Sequence, residues 1–222
     1  MGEKNNQIND LWLRVCQLDD SKAFESLFAL YYHKLLNFCL LYLDQKEPAE
    51  EVVSDVFVKC WMNRQNLAQV QNPEVYLFVA VKNQSLNYLR RFSNYHMVSI
   101  GEVDADRLIN SLYPDKEVEQ RELLLRMNHA IASLPRQCRV IFRLIKEDGM
   151  KYKEVAEILH ISPRTVQTQL FRGIEKLRTA LRPYLEGGRS GKASPSGEPS
   201  GGGDGIILPF ILLIAGCSRF FL

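Results

Sequence analysis

Apolar residues recur at steps of three and four along most of the first 181 positions. Between residues 20 and 43, Phe24, Leu27, Phe28, Tyr31, Leu35, Phe38 and Tyr42 fall on one helical face. Asp20 or Ser21 supplies a cap at its start. Residues 47–62 repeat the pattern with Ala49, Val52, Val53, Val56, Phe57, Cys60 and Trp61. Pro48 stands in the first turn with Glu50 and Glu51 behind it, a favourable helix start. A third helix opens at Pro73-Glu74, runs through Val75, Phe78, Val81, Leu86 and Leu89, and ends near Arg90-Arg91. Three long helices with no period-two alternation predict a helical bundle over residues 10–92.

The periodicity lapses over residues 93–118, where Asp104, Asp106, Asp115 and Glu117 accumulate around Pro114. This segment reads as an acidic linker. Helical spacing resumes at 119–132 and 136–146, divided by Pro135. Gly149 marks a turn, followed by a short helix at 152–159 and a longer one at 163–181. The fold class is therefore all-α, with a second helical domain over 119–183. From Glu186 the stretch EGGRSGKASPSGEPSGGGDG has the composition of a flexible linker. IILPFILLIAGC follows, shorter than the ~20 residues of a membrane span and interrupted by Pro209. Residues 184–222 are expected to form a loose Gly/Ser-rich linker and a short apolar tail.

Glycine usage supports long helices. Of 13 glycines, Gly2, Gly101, Gly149 and Gly173 are the four that precede residue 187. That argues against a β-sandwich, a barrel or a Gly-rich nucleotide loop. The net charge of +2 conceals an uneven distribution. Residues 119–183 hold 13 Lys/Arg against 7 Asp/Glu, so a polyanion would bind there. The five cysteines form no C-x-x-C pair, which points to neither zinc nor a disulfide framework. Cys16, Cys39, Cys60 and Cys138 fall in apolar helical patterns and read as buried free thiols of a reducing compartment. The polar N-terminus MGEKNNQIND has no signal-peptide core, so a cytoplasmic location is expected. The four histidines show no H-E-x-x-H spacing, and no nucleophile or phosphate-loop motif occurs. No catalytic residue, metal or cofactor is expected.

Tyr152–Arg172, YKEVAEILHISPRTVQTQLFR, has the pattern of a DNA-binding helix-turn-helix. Ala156 is small where two helices must approach. His160 and Ile161 occupy the turn, Ser162 can cap the second helix, and Pro163 takes its first position. Val166, Leu170, Ile174 and Leu177 face inward. Arg164, Thr165, Gln167, Thr168, Gln169, Arg172 and Lys176 are the candidate DNA contacts. Gln and Arg can bond bidentately to adenine and guanine edges, and Thr can meet a phosphate or a thymine methyl.

Three stretches together resemble the sigma-70 family of RNA polymerase sigma factors, in its small extracytoplasmic-function (ECF) class. They are FESLFALYYHKLLNFCLLYL (24–43) with PAEEVVSDVFVKCW (48–61), then VYLFVAVKNQSLNYLRR (75–91), then 131–181. The resemblance implies an alternative sigma factor that directs promoter-specific initiation. The first domain would bind core RNA polymerase and the minus-10 element, and the second would read the minus-35 element. It assigns Glu51, Asp55, Phe57 and Trp61 to core polymerase, with the aromatics as anchors. It assigns Asn83, Lys82, Arg90 and Arg91 to the minus-10 strand. Met62–Asn72 corresponds to the loop that takes up a flipped base, although MNRQNLAQVQN lacks the aromatic often found there. Core RNA polymerase, promoter DNA and an anti-sigma factor are the implied partners, with no small-molecule substrate. Two rival readings are a conventional helix-turn-helix regulator with an N-terminal dimerisation or ligand domain, and an interaction protein that binds core without directing initiation.

Overall fold

The computed structural model describes residues 2–92 and 126–187. The expected linker at 93–118 and the apolar tail lie outside the described residues. Every regular element among the described residues is helical. Helix α1 spans Gly2–Leu18, α2 Ser21–Cys39, α3 Lys46–Met62 and α4 Pro73–Phe92, with a 3-10 turn at Arg64–Leu67. Residues 126–132 form α5. Helix α6 spans Arg136–Lys146, α7 Tyr152–Leu159 and α8 Pro163–Gly187. The described residues fall into two compact units, 2–92 with 143–167, and 126–142 with 168–187.

In the first unit, α1 is an addition to the three helices read from the pattern. Ile8, Leu11, Trp12, Val15 and Cys16 are buried at helical spacing. Trp12 donates from Nε1 to the Leu67 carbonyl at 3.1 Å, tying α1 to the 3-10 turn. Its ring meets Tyr76 of α4 edge-on at 5.7 Å. The α1–α2 corner turns through Asp19 at φ 52°. Asp20 then caps α2, its Oδ1 accepting from the Lys22 and Ala23 amides at 2.9 and 3.1 Å. Its other oxygen accepts from Arg14 at 2.7 Å, and that bond holds the carboxyl below the usual carboxylate range. Arg64 pairs with Asp19, donates to the Trp61 carbonyl at 2.7 Å and lies over the Trp61 ring.

Aromatic side chains fill the space between α2, α3 and α4. Phe28 and Phe57 ring centres lie 4.8 Å apart, Phe24 and Trp61 4.9 Å, and Phe38 and Phe78 5.0 Å. Such pairs add ~0.5–1.5 kcal/mol to the burial term. Cys16, Cys39, Cys60 and Cys138 are buried free thiols, as the apolar patterns predict. Burial pushes the Cys39 thiol up to about 11 and the Cys60 thiol to about 12, so neither is an available nucleophile at neutral pH. Helix α7 packs against α4 within this unit.

The helix-turn-helix forms as its punctuation dictates. Gly149 takes φ 74°, where a side chain would be strained. The Lys151 amide donates to Glu154 Oε2 at 2.8 Å, satisfying one exposed donor at the start of α7. Helix α7 stops at His160, in the left-handed region at φ 55°. The Ile161 amide closes back on the Ala156 carbonyl at 3.0 Å, and that of His160 on Glu157 at 3.3 Å, a Schellman pattern. Ser162 caps α8, its Oγ accepting from the Thr165 amide at 3.0 Å. In the second unit, Ile131, Leu134, Cys138, Leu170, Ile174, Leu177 and Leu181 are buried. Helix α8 continues to Gly187, past the expected end at residue 181.

Candidate nucleic-acid interface

Three exposed faces carry the polar residues singled out from the sequence. The first is on α8. Arg164, Gln167, Thr168, Arg172 and Lys176 are exposed, on the side opposite buried Val166, Leu170, Ile174 and Leu177. Two expected members turn away from that role. Thr165 is half-buried, and its hydroxyl shares a 2.8 Å hydrogen bond with Ser162 Oγ inside the cap. Gln169 is half-buried, and its side-chain carbonyl accepts the Cys138 thiol at 3.0 Å. Each thus has one polar group engaged within the protein. One residue joins the face instead. Phe171 is 58% exposed, three residues on from Thr168 and beside Arg172. A single exposed ring is ordinary on a protein surface; in a major groove it can cover a thymine methyl. The signal lay in the spacing, since position 171 is one turn from Gln167 and Thr168.

The second face is on α4. Asn83, Arg90 and Arg91 are exposed, and Asn87 lies between them at the same helical spacing. Arg90 donates to Asn87 Oδ1 at 3.4 Å. Arg90 and Arg91 close the last turn of the helix, where its dipole favours cations. Lys82 departs from the expectation. It is 6% exposed, and its ammonium donates to the Ile158 carbonyl at 2.6 Å. Burial lowers its pKa from the ordinary lysine value. As the chain stands, Lys82 offers nothing to a phosphate.

The third face is on α3. Glu51, Asp55, Val58 and Met62 follow one another at steps of four, three and four, all exposed. The expected anchors are elsewhere. Phe57 is 2% exposed and packed against Phe24 and Phe28. Trp61 is half-buried between Phe24 and Arg64. Packing on α2 has claimed both rings, and the exposed apolar groups are Val58 at 55% and Met62 at 73%. A cleft of about 150 Å³ between α3 and α4 brings Glu51 and Asp55 to the same rim as Asn87 and Arg91. The face expected for polymerase and the face expected for DNA thus adjoin.

Before α4, the segment expected to take a flipped base is a 3-10 turn followed by Asn72, whose Oδ1 accepts from the Val75 amide at 3.2 Å. Among the described residues no group of three His, Cys, Asp or Glu could hold a metal ion. No described helix is long and apolar enough to cross a membrane.

Two family models match the chain. Sigma-70 region 2 matches residues 27–94, and Sigma-70, region 4 matches residues 124–177. The RNA polymerase sigma-H factor of Pseudomonas aeruginosa is 23% identical over 176 residues, covering 76% of this chain and 91% of that protein. The ECF RNA polymerase sigma factor SigW of Bacillus subtilis is 24% identical, covering 73% and 91%. The ECF RNA polymerase sigma-E factor of Escherichia coli is 24% identical, covering 76% and 92%. Among solved structures, CnrH in complex with the cytosolic domain of CnrY superposes with a TM-score of 0.55 at 19% identity, covering 80% of this chain and 98% of that one. The sigma factor RpoE in complex with the anti-sigma factor NepR, from Bartonella quintana, gives 0.51 at 19% identity, covering 72% and 98%. These likenesses show the fold.

Proposed function

We propose a division of labour among the three faces of this chain, which belongs to the sigma-70 family, ECF class. It is an alternative sigma factor that directs core RNA polymerase to a restricted set of promoters. Helix α3 docks on core through the stripe Glu51, Asp55, Val58 and Met62, the acids setting complementarity and the apolar pair supplying desolvated contact. Exposed Asn83, Arg90 and Arg91 on α4 engage the minus-10 strand, Asn83 by hydrogen bonds and the arginines by charge. Helix α8 enters the major groove at the minus-35 element. Arg172 and Gln167 meet base edges, Phe171 covers a thymine methyl, and Arg164 and Lys176 hold phosphates. The phosphodiester chemistry belongs to the polymerase, and the working compartment is the cytoplasm.

The observation that carries this reading is the α8 face. Its inward residues are used in packing and capping, and Gln167, Phe171, Arg172 and Lys176 stand exposed on the opposite side of the helix. An anti-sigma factor fits the same picture, because a protein covering α3 or α8 would silence the chain. The test is a holoenzyme footprint on a promoter with single-base changes in the minus-35 element. Arg172→Ala should relax discrimination at one position, a loss of ~1–3 kcal/mol. Uniform weakening across all sequences would move Arg172 from base reading to phosphate contact. No change in either measure would remove α8 from the interface.

A further inference from the structure

The apolar run IILPFILLIAGC, residues 206–217, has no part in core docking or promoter reading. Ser218, Arg219 and the triplet Phe220-Phe221-Leu222 follow it. Apolar surface left in water costs ~25 cal/mol for each Å², so a run of this kind gains by being covered. Arg219 is the single charge in residues 206–222. Residues 188–205, rich in Gly and Ser, join this segment to the end of α8. A chain of that composition and length spans roughly 20–25 Å on average and about 60 Å at full extension. The segment is therefore not confined to the neighbourhood of α8, and it meets surfaces of its own chain at high effective concentration.

One described surface matches the segment both in apolar character and in charge. On α3, exposed Val58 and Met62 lie one turn apart. Exposed Leu13, Leu18 and Leu30 have no exposed large apolar residue one turn away on their own helices, and Phe171 stands beside Arg172. Glu51 and Asp55 continue the Val58–Met62 stripe, and neither is paired with a cation among the described residues. Both acids also line the cleft of about 150 Å³ between α3 and α4. Val52, Tyr88 and Phe92 add apolar walls, the two rings 4.4 Å apart and Phe92 half in solvent. A cavity of ~150 Å³ is large enough to hold a benzene ring. The cleft sets two carboxylates against the one guanidinium of Arg91, and this excess of negative charge favours a cation on the α3 side.

We propose that residues 206–222 dock on the α3–α4 face of their own chain and cover the core-docking stripe in the free protein. Arg219 sits between Glu51 and Asp55. A phenyl ring of Phe220 or Phe221 enters the cleft against Tyr88 and Phe92, and the run 206–217 covers Val58 and Met62. The inference rests on the assignment of α3 to core given above. Core and the tethered segment then compete for one surface, so the segment weakens core binding until it is displaced. The Gly/Ser-rich stretch lets it leave without disturbing α8.

The test uses Cys217, the thiol inside the segment, because Cys16, Cys39, Cys60 and Cys138 are buried. Full-length Val58→Cys and Leu13→Cys variants, shown to be folded by circular dichroism, are treated when dilute with a short bismaleimide. Cross-links to Cys217 within the monomer are read by mass spectrometry. Val58→Cys should cross-link at least about fivefold more than Leu13→Cys, an exposed position on the same unit. Adding Arg219→Glu to Val58→Cys places an acid against Glu51 and Asp55, and should cut that yield severalfold. Equal yields at the two positions, or no effect of Arg219→Glu, would overturn the docking. Cross-linked dimers in place of monomers would also overturn it and assign the face to a second copy. So would flotation of the full-length protein with vesicles of phosphatidylcholine and phosphatidylglycerol when neither position cross-links, which assigns the segment to a lipid surface. A second measurement separates the docking from its consequence. Deleting residues 206–222 should tighten binding to purified core about tenfold. If Val58→Cys cross-links as expected but the deletion leaves core affinity unchanged, the docking stands and the assignment of α3 to core fails.

Discussion

Phe57 and Val58 are neighbours in sequence with opposite duties. The Phe57 ring lies between Phe24 and Phe28, while Val58 is 55% exposed one position on. Phe57→Ala should therefore destabilise the protein by ~3–5 kcal/mol, the usual range for a buried phenylalanine. Chemical denaturation would show it. Val58→Ala with Met62→Ala should leave the unfolding midpoint nearly unchanged and weaken core binding about tenfold, or ~1.4 kcal/mol. A double variant that competes for core as well as wild type would remove α3 from the docking surface. Sequence alone could not separate these roles, because an aromatic on an amphipathic helix serves equally as core or as anchor until its neighbours are known. Lys82 posed the same difficulty more sharply. Its burial depends on a carbonyl 76 positions away, and no local pattern encodes that.

Asp148 makes a prediction in pH. Its carboxyl titrates near 3.8 when unperturbed and at about 7 in the folded chain. Between those values the folded state holds the proton more tightly than the unfolded state, so this group favours folding at low pH. Its contribution declines as pH rises toward 7 and is lost above it. Asp148→Asn should flatten that decline. Denaturation at pH 5 and pH 8 would then give a smaller difference for the variant than for wild type. An identical difference in both proteins would show that the carboxyl is not perturbed.

At the scale of elements, local chemistry was the most legible. Of the two caps the sequence offers for α2, Asp20 is the one used; Ser162 caps α8 as expected, and α7 runs Tyr152–Leu159 as its spacing and turn residues require. These features depend on residues within one turn of each other. Helix α1 is not legible in the sequence, for a different reason. Its first ten residues are polar on average, and the average concealed the apolar series Ile8, Leu11, Trp12 and Val15. Within α8 the legible part was the inward face. The outer face is less legible, because the Thr165 hydroxyl is engaged in the cap and the Gln169 carbonyl by the Cys138 thiol. Ser162→Ala should cost about 1 kcal/mol, typical of a lost N-cap, and lower affinity for all promoters alike. Phe171→Ala should instead reduce binding selectively where the minus-35 element carries a thymine. Equal loss on thymine-containing and thymine-free sites would deny Phe171 a reading role.

For the whole molecule, the order of its parts carries the function. The helices proposed to dock core, to engage the minus-10 strand and to read the minus-35 element follow one another in a single chain, and both region 2 and region 4 of the sigma-70 family match it. Two small reading heads on one chain gain affinity through effective concentration once core holds both. Each alone should bind weakly. The most direct measurement is in vitro transcription with purified core polymerase and a promoter from which core alone does not start. Adding this protein should yield a transcript with one defined start site, while the protein without core leaves the same promoter nearly unprotected in a footprint. A strong footprint by the free protein, with no start-site-specific transcript when core is supplied, would contradict the account and favour a conventional DNA-binding regulator.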